Sequence, residues 1–104
     1  MVERAPEVVR VVDPAARTIC YGHVADGNVH VNVLGPAPGD EAVDDAVLEL
    51  VLGLGGSVSA EHGIGVAKVD WLVRDRGEAA VAAMRAIKRA WDPGGLLNPG
   101  VLFP

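Results

Sequence analysis

Between residues 29 and 34 the chain alternates, with Val29, Val31 and Val33 on one side and His30, Asn32 and Leu34 on the other. A period of two marks a half-buried strand. Upstream, Thr18 to Val24 is apolar and rich in β-formers, and Ala25-Asp26-Gly27-Asn28 between the two runs is a turn sequence. The pattern predicts a β-hairpin. After a loop over 35–39 the period changes: Val43, Ala46, Val47, Leu50, Val51 and Leu54 recur at helical spacing. Asp40 suits the cap of that helix, Glu41, Asp44 and Asp45 suit its positive end, and Gly53, Gly55 and Gly56 end it. Ser57 to Ala60 reads as a short strand. Ala67 to Arg74 reads as a short helix stopped by Gly77. Glu78 to Trp91 reads as a longer helix with Ala80, Met84, Ile87 and Trp91 along one face. Asp92-Pro93-Gly94-Gly95 closes it, and the tail from Leu96 to Pro104 is expected to be extended. At the other end Val8, Val9, Val11 and Val12 fit a strand or a helix, broken at Asp13-Pro14. The order β-β-α-β-α-α predicts an α+β fold, a small antiparallel sheet with helices packed on one face. Residues 1–104 are expected to form one domain.

Composition narrows the function. The chain has 104 residues, half of them hydrophobic and 4% aromatic, so any core rests on Val, Leu, Ala and Ile. A net charge of -5 without a Lys/Arg cluster argues against nucleic acid and anionic membranes as partners. One cysteine, Cys20, allows no intrachain disulfide and fits a reducing compartment. The first ten residues lack the apolar core of a signal peptide, and no apolar run of about 18 residues would span a membrane. The expectation is a cytoplasmic protein without a membrane span.

The histidines fall in two clusters. With the turn centred on Asp26-Gly27, Val24 faces Val29, His23 faces His30 and Tyr21 faces Asn32. Directly opposed residues share a face with Cβ atoms about 5 Å apart, and two imidazoles so placed can bind one metal ion. Two unrelated strand-end histidines are the alternative, and a bulge would break the register. The second cluster is Glu61-His62, followed by Gly63 and Gly65, which let a ligand approach the backbone closely. Such a pair can offer a carboxylate ligand and a separate base; a surface loop with a capping histidine is the other reading. Cys20 lies on the face opposite the histidines. Lys68 and Arg74 read as solvated helix charges, and Trp71 and Trp91 as packing residues. The Gly53-Leu54-Gly55-Gly56 run follows a helix instead of opening one, so it is no phosphate loop.

Three stretches, taken together, resemble a known family. They are Tyr21-Gly22-His23-Val24-Ala25-Asp26-Gly27-Asn28-Val29-His30-Val31-Asn32, then Gly55-Gly56-Ser57-Val58-Ser59-Ala60-Glu61-His62-Gly63-Ile64-Gly65, then Asp92-Pro93-Gly94-Gly95-Leu96-Leu97-Asn98-Pro99-Gly100. In order and spacing they are similar to the C-terminal domain of FAD-linked oxidases of the vanillyl-alcohol-oxidase type, nearest the D-lactate dehydrogenase, D-2-hydroxyglutarate dehydrogenase and glycolate oxidase flavoprotein branches. The resemblance covers residues 18–104 and implies part of a ferredoxin-like cap domain. It implies His23, His30 and Glu61 as ligands of a divalent metal, zinc foremost, with manganese and iron suiting the same donors. It implies His62 as the catalytic base, Asn32 at the substrate and Asn98 toward the flavin. The implied chemistry is FAD-dependent oxidation of a 2-hydroxy acid, with the flavin-binding domain absent from this chain, so that the chain alone is expected to be inactive. Non-catalytic alternatives are a metal-binding module and a remnant that forms a homodimer through an exposed apolar face. Three positions depart from the family pattern: Ala25 stands for a usual glycine, Val66 for a basic or polar residue and Val101 for a common lysine.

Overall fold

The structure is a computed structural model that describes every residue except Pro38 and Pro104, together with all side chains of the described residues but that of Val24. The last residue of the expected tail and one proline of the expected 35–39 loop therefore lie outside the described residues. The chain divides into two compact units, Met1–Gly56 and Ser57–Pro104.

The first unit opens with a helix, α1 (Arg4–Val12). Its buried residues, Ala5 and Val9, lie four apart, as a helical stripe requires, while Val11 and Val12 are exposed. This decides between the two readings of the N-terminal valines. Pro14 disfavours helical backbone at Asp13, which turns extended and whose Oδ1 accepts the N–H of Ala15 at 3.1 Å. Strands β1 (Arg17–His23) and β2 (Asn28–Leu34) form the antiparallel hairpin. Helix α2 (Ala42–Gly53) follows; its N-cap is Glu41, without a side-chain cap bond, and the expected cap Asp40 instead stands one residue earlier, where its Oδ1 accepts the Ala42 N–H at 3.1 Å and turns the chain into the helix. At the other end, Gly56 donates to the Val51 carbonyl at 2.9 Å, and Gly55 takes a φ of 76° that glycine reaches without strain.

Val9 of α1, Ala16 and Val43 of α2 form the buried centre of this unit, with Val33 and Val47 packed against them. Val29, Val31 and Val33 of β2 are partly buried, so the valine side of the hairpin faces the helices. The histidine side faces away. The expectation of an α+β fold with helices on one sheet face holds.

In the second unit, a 3-10 turn (Val69–Trp71) leads into the short helix α3 (Leu72–Arg76), and Gly77, with φ 84°, separates it from α4 (Glu78–Trp91). Val58, Ile64, Leu72 and Val81 are its buried apolar residues. Three expectations fail here. Ser57 to Ala60 is not a strand, because side chains take up the backbone groups of Val58 that a ladder would use: its N–H donates to Asp75 Oδ1 at 3.2 Å and its carbonyl accepts from Lys68 Nζ at 2.6 Å. Lys68 is thus a half-buried tie, not a solvated helix charge. On α4 the buried residue is Val81, whereas Ile87 and Trp91 are 63% and 87% exposed, so Trp91 does not pack. Trp71 is half-buried under the Arg74 guanidinium, 4.8 Å from the ring centre. Among the described residues no helix is long and apolar enough to cross a membrane.

Candidate functional site

The hairpin presents one polar face. Its register pairs His23 with Asn28, Gly22 with Val29, Tyr21 with His30 and Ile19 with Asn32. This is two residues away from the expected pairing of His23 with His30 and Tyr21 with Asn32. The cause is the turn. Val24 leaves the strand to begin a 3-10 turn (Val24–Asp26), Gly27 closes it at φ 70°, and β2 already starts at Asn28. A slip of two preserves the alternation of sides, whereas a slip of one would invert it. His23, His30 and Asn32 therefore still share a face, and Cys20 lies on the other. The two histidines are now diagonal neighbours, with backbones roughly 7–8 Å apart, a separation two imidazoles can close onto one ion.

In this register His30 stands directly opposite Tyr21. Its ring stacks on Tyr21, with centroids 5.0 Å apart and planes 18° from parallel, which holds the half-buried imidazole in one orientation. Tyr21 was legible as a face-mate of the histidines but not as the residue opposite His30. Gly22, between Tyr21 and His23, is required by space. A Cβ there would lie 2.2 Å from the carbonyl oxygen of Asn28. Ala25, where the family pattern has glycine, sits in the 3-10 turn and is not among the residues of positive φ, so the turn accepts alanine.

The second unit carries the Glu61-His62 loop. His62 Nε2 lies 3.4 Å from Glu61 Oε1, and the side chains are 79% and 43% exposed respectively. The two side chains meet, where an extended chain would point neighbouring residues apart. Gly63 and Gly65 both have positive φ, 77° and 58°, and between them Ile64 is buried. Alternating an anchor with two glycines turns the chain sharply after the histidine. The Gly65 carbonyl then accepts the N–H of Leu102 at 3.0 Å, which ties the C-terminal tail to the end of the loop.

Asn98 is on that tail, in left-handed backbone at φ 46°, and its carbonyl accepts the Val101 N–H at 3.2 Å. The tail leaves α4 through a clasp at Asp92. The Asp92 carboxylate accepts from Lys88 Nζ at 2.5 Å and from the N–H groups of Leu96 and Leu97 at 3.0 and 2.9 Å, while Lys88 Nζ also donates to the Leu97 carbonyl at 2.7 Å. The Lys88 hydrogen bond, with the two amides and the Lys88 charge behind it, lowers the Asp92 pKa from 3.8 to about 2. Asn98 thus follows a segment whose path is fixed by charge-assisted bonds.

Each unit by itself assembles part of the candidate set. The hairpin brings together His23, His30 and Asn32, and the loop brings together Glu61 and His62. Imidazole nitrogens and carboxylate oxygens are donor types suited to zinc, manganese or iron. The residues that composition and spacing did not reveal are Tyr21 as the stacking partner, and Asp75 and Lys68 as the ties on Val58. Asp75 is 17 positions from Val58 and Lys68 is 10. No periodicity links residues at such separations.

Comparison with known proteins agrees with the resemblance in the sequence. The profile of the family described as FAD linked oxidases, C-terminal domain, matches residues 1–102. The chain is 39% identical over 98 residues to D-2-hydroxyglutarate dehydrogenase of Stutzerimonas stutzeri, covering 86% of this chain and 21% of that protein. It is 40% identical over 98 residues to the mitochondrial D-2-hydroxyglutarate dehydrogenase of Bos taurus, covering 91% of this chain and 18% of that protein. It is also 39% identical over 84 residues to an uncharacterised FAD-linked oxidoreductase of Mycobacterium tuberculosis, covering 79% and 18%. The chain spans about a fifth of the length of these relatives.

Proposed function

The chain belongs to the FAD-linked oxidases, as their C-terminal domain, and from that premise we propose that it is the substrate- and metal-binding part of an FAD-dependent 2-hydroxy-acid dehydrogenase. A D-2-hydroxyglutarate-type acid leads, on the names of the relatives, ahead of D-lactate or glycolate. The reading includes a flavin-binding domain or subunit outside this chain, as part of the same protein or as a partner, and a cytoplasmic location.

In this proposal His23, His30 and Glu61 hold a divalent ion, with zinc first among the candidates. When bound, the ion supplies Lewis acidity to the 2-hydroxyl and FAD supplies the hydride acceptor. The chain's own residues do the rest. Tyr21 holds the His30 ring by stacking, so that its nitrogen keeps one direction. Asn32, exposed on the same hairpin face, offers an amide to the substrate's carboxylate or hydroxyl. His62 accepts the hydroxyl proton at a ring nitrogen, and its side chain is open enough to meet a substrate. Asn98, on the clasped tail, is assigned to the flavin side.

The observation that carries this reading is the hairpin face: two imidazoles and an amide on one side of two paired strands, in a chain of this family. The test is metal analysis of the purified chain after zinc loading and gel filtration. One bound ion per chain, lost in His23→Ala and in Glu61→Gln, is expected. An equal metal content in wild type and both variants would overturn the ligand assignment. Joined to a flavin-binding domain or subunit, His62→Ala should abolish turnover of D-2-hydroxy acids while the ion stays bound.

A second reading, a remnant that dimerises, draws on one observation. Ile87, Trp91, Leu96 and Leu97 stand open to solvent, and exposed apolar groups of this size favour association. Sedimentation equilibrium decides it. A monomer at micromolar concentration removes this reading.

A further inference from the structure

Val58 is held in a way its sequence surroundings do not call for. Its side chain is buried, and both of its backbone polar groups are taken by side chains from further along the unit. Asp75 Oδ1 accepts its N–H at 3.2 Å, and Lys68 Nζ donates to its carbonyl at 2.6 Å. The second Asp75 oxygen accepts the Ser57 hydroxyl at 3.1 Å and pairs with Arg76 Nε at 3.2 Å. The Asp75 side chain is only 3% exposed, and the Val58 N–H, the Ser57 hydroxyl and Arg76 Nε all converge on its two oxygens. A carboxylate buried to that extent persists only where such donors converge on it.

The loop that carries Glu61 and His62 begins at this clamp. It ends at a second one, where Ile64 is buried and the Gly65 carbonyl accepts from Leu102. Ser59 to Gly63 is therefore a short span fixed at both ends. We propose that Asp75, with Lys68, is a positioning residue that sets where Glu61 and His62 stand, by anchoring Val58 at the start of their loop. The inference rests on the proposed metal role of Glu61. Neither Asp75 nor Lys68 touches the reacting groups. They act one step further out than a partner bonded to the ligand itself, whose loss costs about 10–100-fold in affinity, so an effect near the lower end of that range is expected.

The experiment uses the whole chain, with Co²⁺ as the probe because its visible absorption reports ligand geometry. Asp75→Ala is expected to weaken Co²⁺ binding about tenfold and to change the visible band, with far-UV circular dichroism unchanged, and Asp75→Asn, which keeps an acceptor for the Val58 N–H, to recover part of the loss. In the metal-free chain, NMR order parameters of the Glu61 and His62 amides should fall in Asp75→Ala from near 0.85 toward 0.6. Unchanged order parameters overturn the inference whatever the metal does. Lowered order parameters with wild-type Co²⁺ affinity and spectrum overturn it too. Should Asp75→Ala fail to fold, Lys68→Met removes only the tie to the Val58 carbonyl, is expected to shift both readouts in the same direction, and overturns the inference if it shifts neither. If wild type shows no Co²⁺ band that depends on Glu61, the metal reading falls, and the order parameters alone then decide whether Asp75 positions the pair.

Discussion

Gly22→Ala is the sharpest perturbation of the candidate site that leaves every functional side chain in place. The added Cβ would sit 2.2 Å from Asn28 O, with Asn28 C and Val29 Cα each at 3.1 Å. A comfortable carbon–oxygen contact is roughly 3.3 Å, so the two strands must part by about 1 Å at the step between His23 and His30. All three crowding atoms are backbone, so no flexible side chain can move aside instead. Forcing such a shift costs about 1–3 kcal/mol, and weakening a neighbouring ladder bond adds about 1 kcal/mol. The φ of 155° adds strain at the edge of the range that side chains avoid. The sum is about 3 kcal/mol, against a typical total stability of about 5–15 kcal/mol. Gly27→Ala is the control. Gly27 has φ 70° but nothing within 4 Å of its missing Cβ, so only the left-handed penalty of about 1 kcal/mol applies. Urea denaturation followed by far-UV circular dichroism should show the Gly22 variant midpoint lower by about 2 M, for a slope of about 1.5 kcal/mol/M, and the Gly27 variant lower by less than half as much. A Gly22→Ala chain no less stable than Gly27→Ala would refute the close approach, and with it the observed pairing of Gly22 with Val29.

Two further predictions concern stability elsewhere. Val9→Ala removes two carbons from a fully buried side chain and should cost about 2 kcal/mol by urea denaturation, after a small gain in helix propensity, while Val11→Ala on the exposed side of α1 should change stability by less than about 0.5 kcal/mol. The Asp92 pKa is lowered in the folded chain, so its charged form favours folding. That contribution is complete above the ordinary value of 3.8 and fades as the pH falls toward 2. Thermal melts between pH 6 and pH 2 should show Asp92→Asn below wild type at the upper end and the gap closing at the lower. A constant gap across that range would contradict the clasp.

Much of this was legible in the sequence for reasons that can be named. Helix α4 matches its expected bounds because Gly77 and the Asp92-Pro93 break are strong local signals. The hairpin and its polar face were legible because side alternation depends only on period two. The register was not, since it depends on how many residues the turn consumes, and the 3-10 turn takes Val24 out of the strand. The Ser57–Ala60 segment has strand-like composition, yet it is claimed by Asp75 and Lys68, and contacts between distant side chains leave no local trace. Ile87 and Trp91 keep helical spacing but not burial, because spacing defines a face and says nothing of what covers it. At the candidate site, the family motifs identified the residue types. They did not reveal the Tyr21 stack, which the observed register favours by setting Tyr21 directly opposite His30.

The two strands of the hairpin are each other's sole partner among the described residues, so each keeps one open edge. A two-stranded ribbon of this kind is marginal in water. What shields its inner face is the helix that comes before it, through Val9, and the helix that follows, through Val43. Deuterium uptake by the β1 and β2 amides should therefore be governed by the same opening event as uptake by α1. Loosening the first dozen residues would let the ribbon carrying His23 and His30 breathe, without touching either ring.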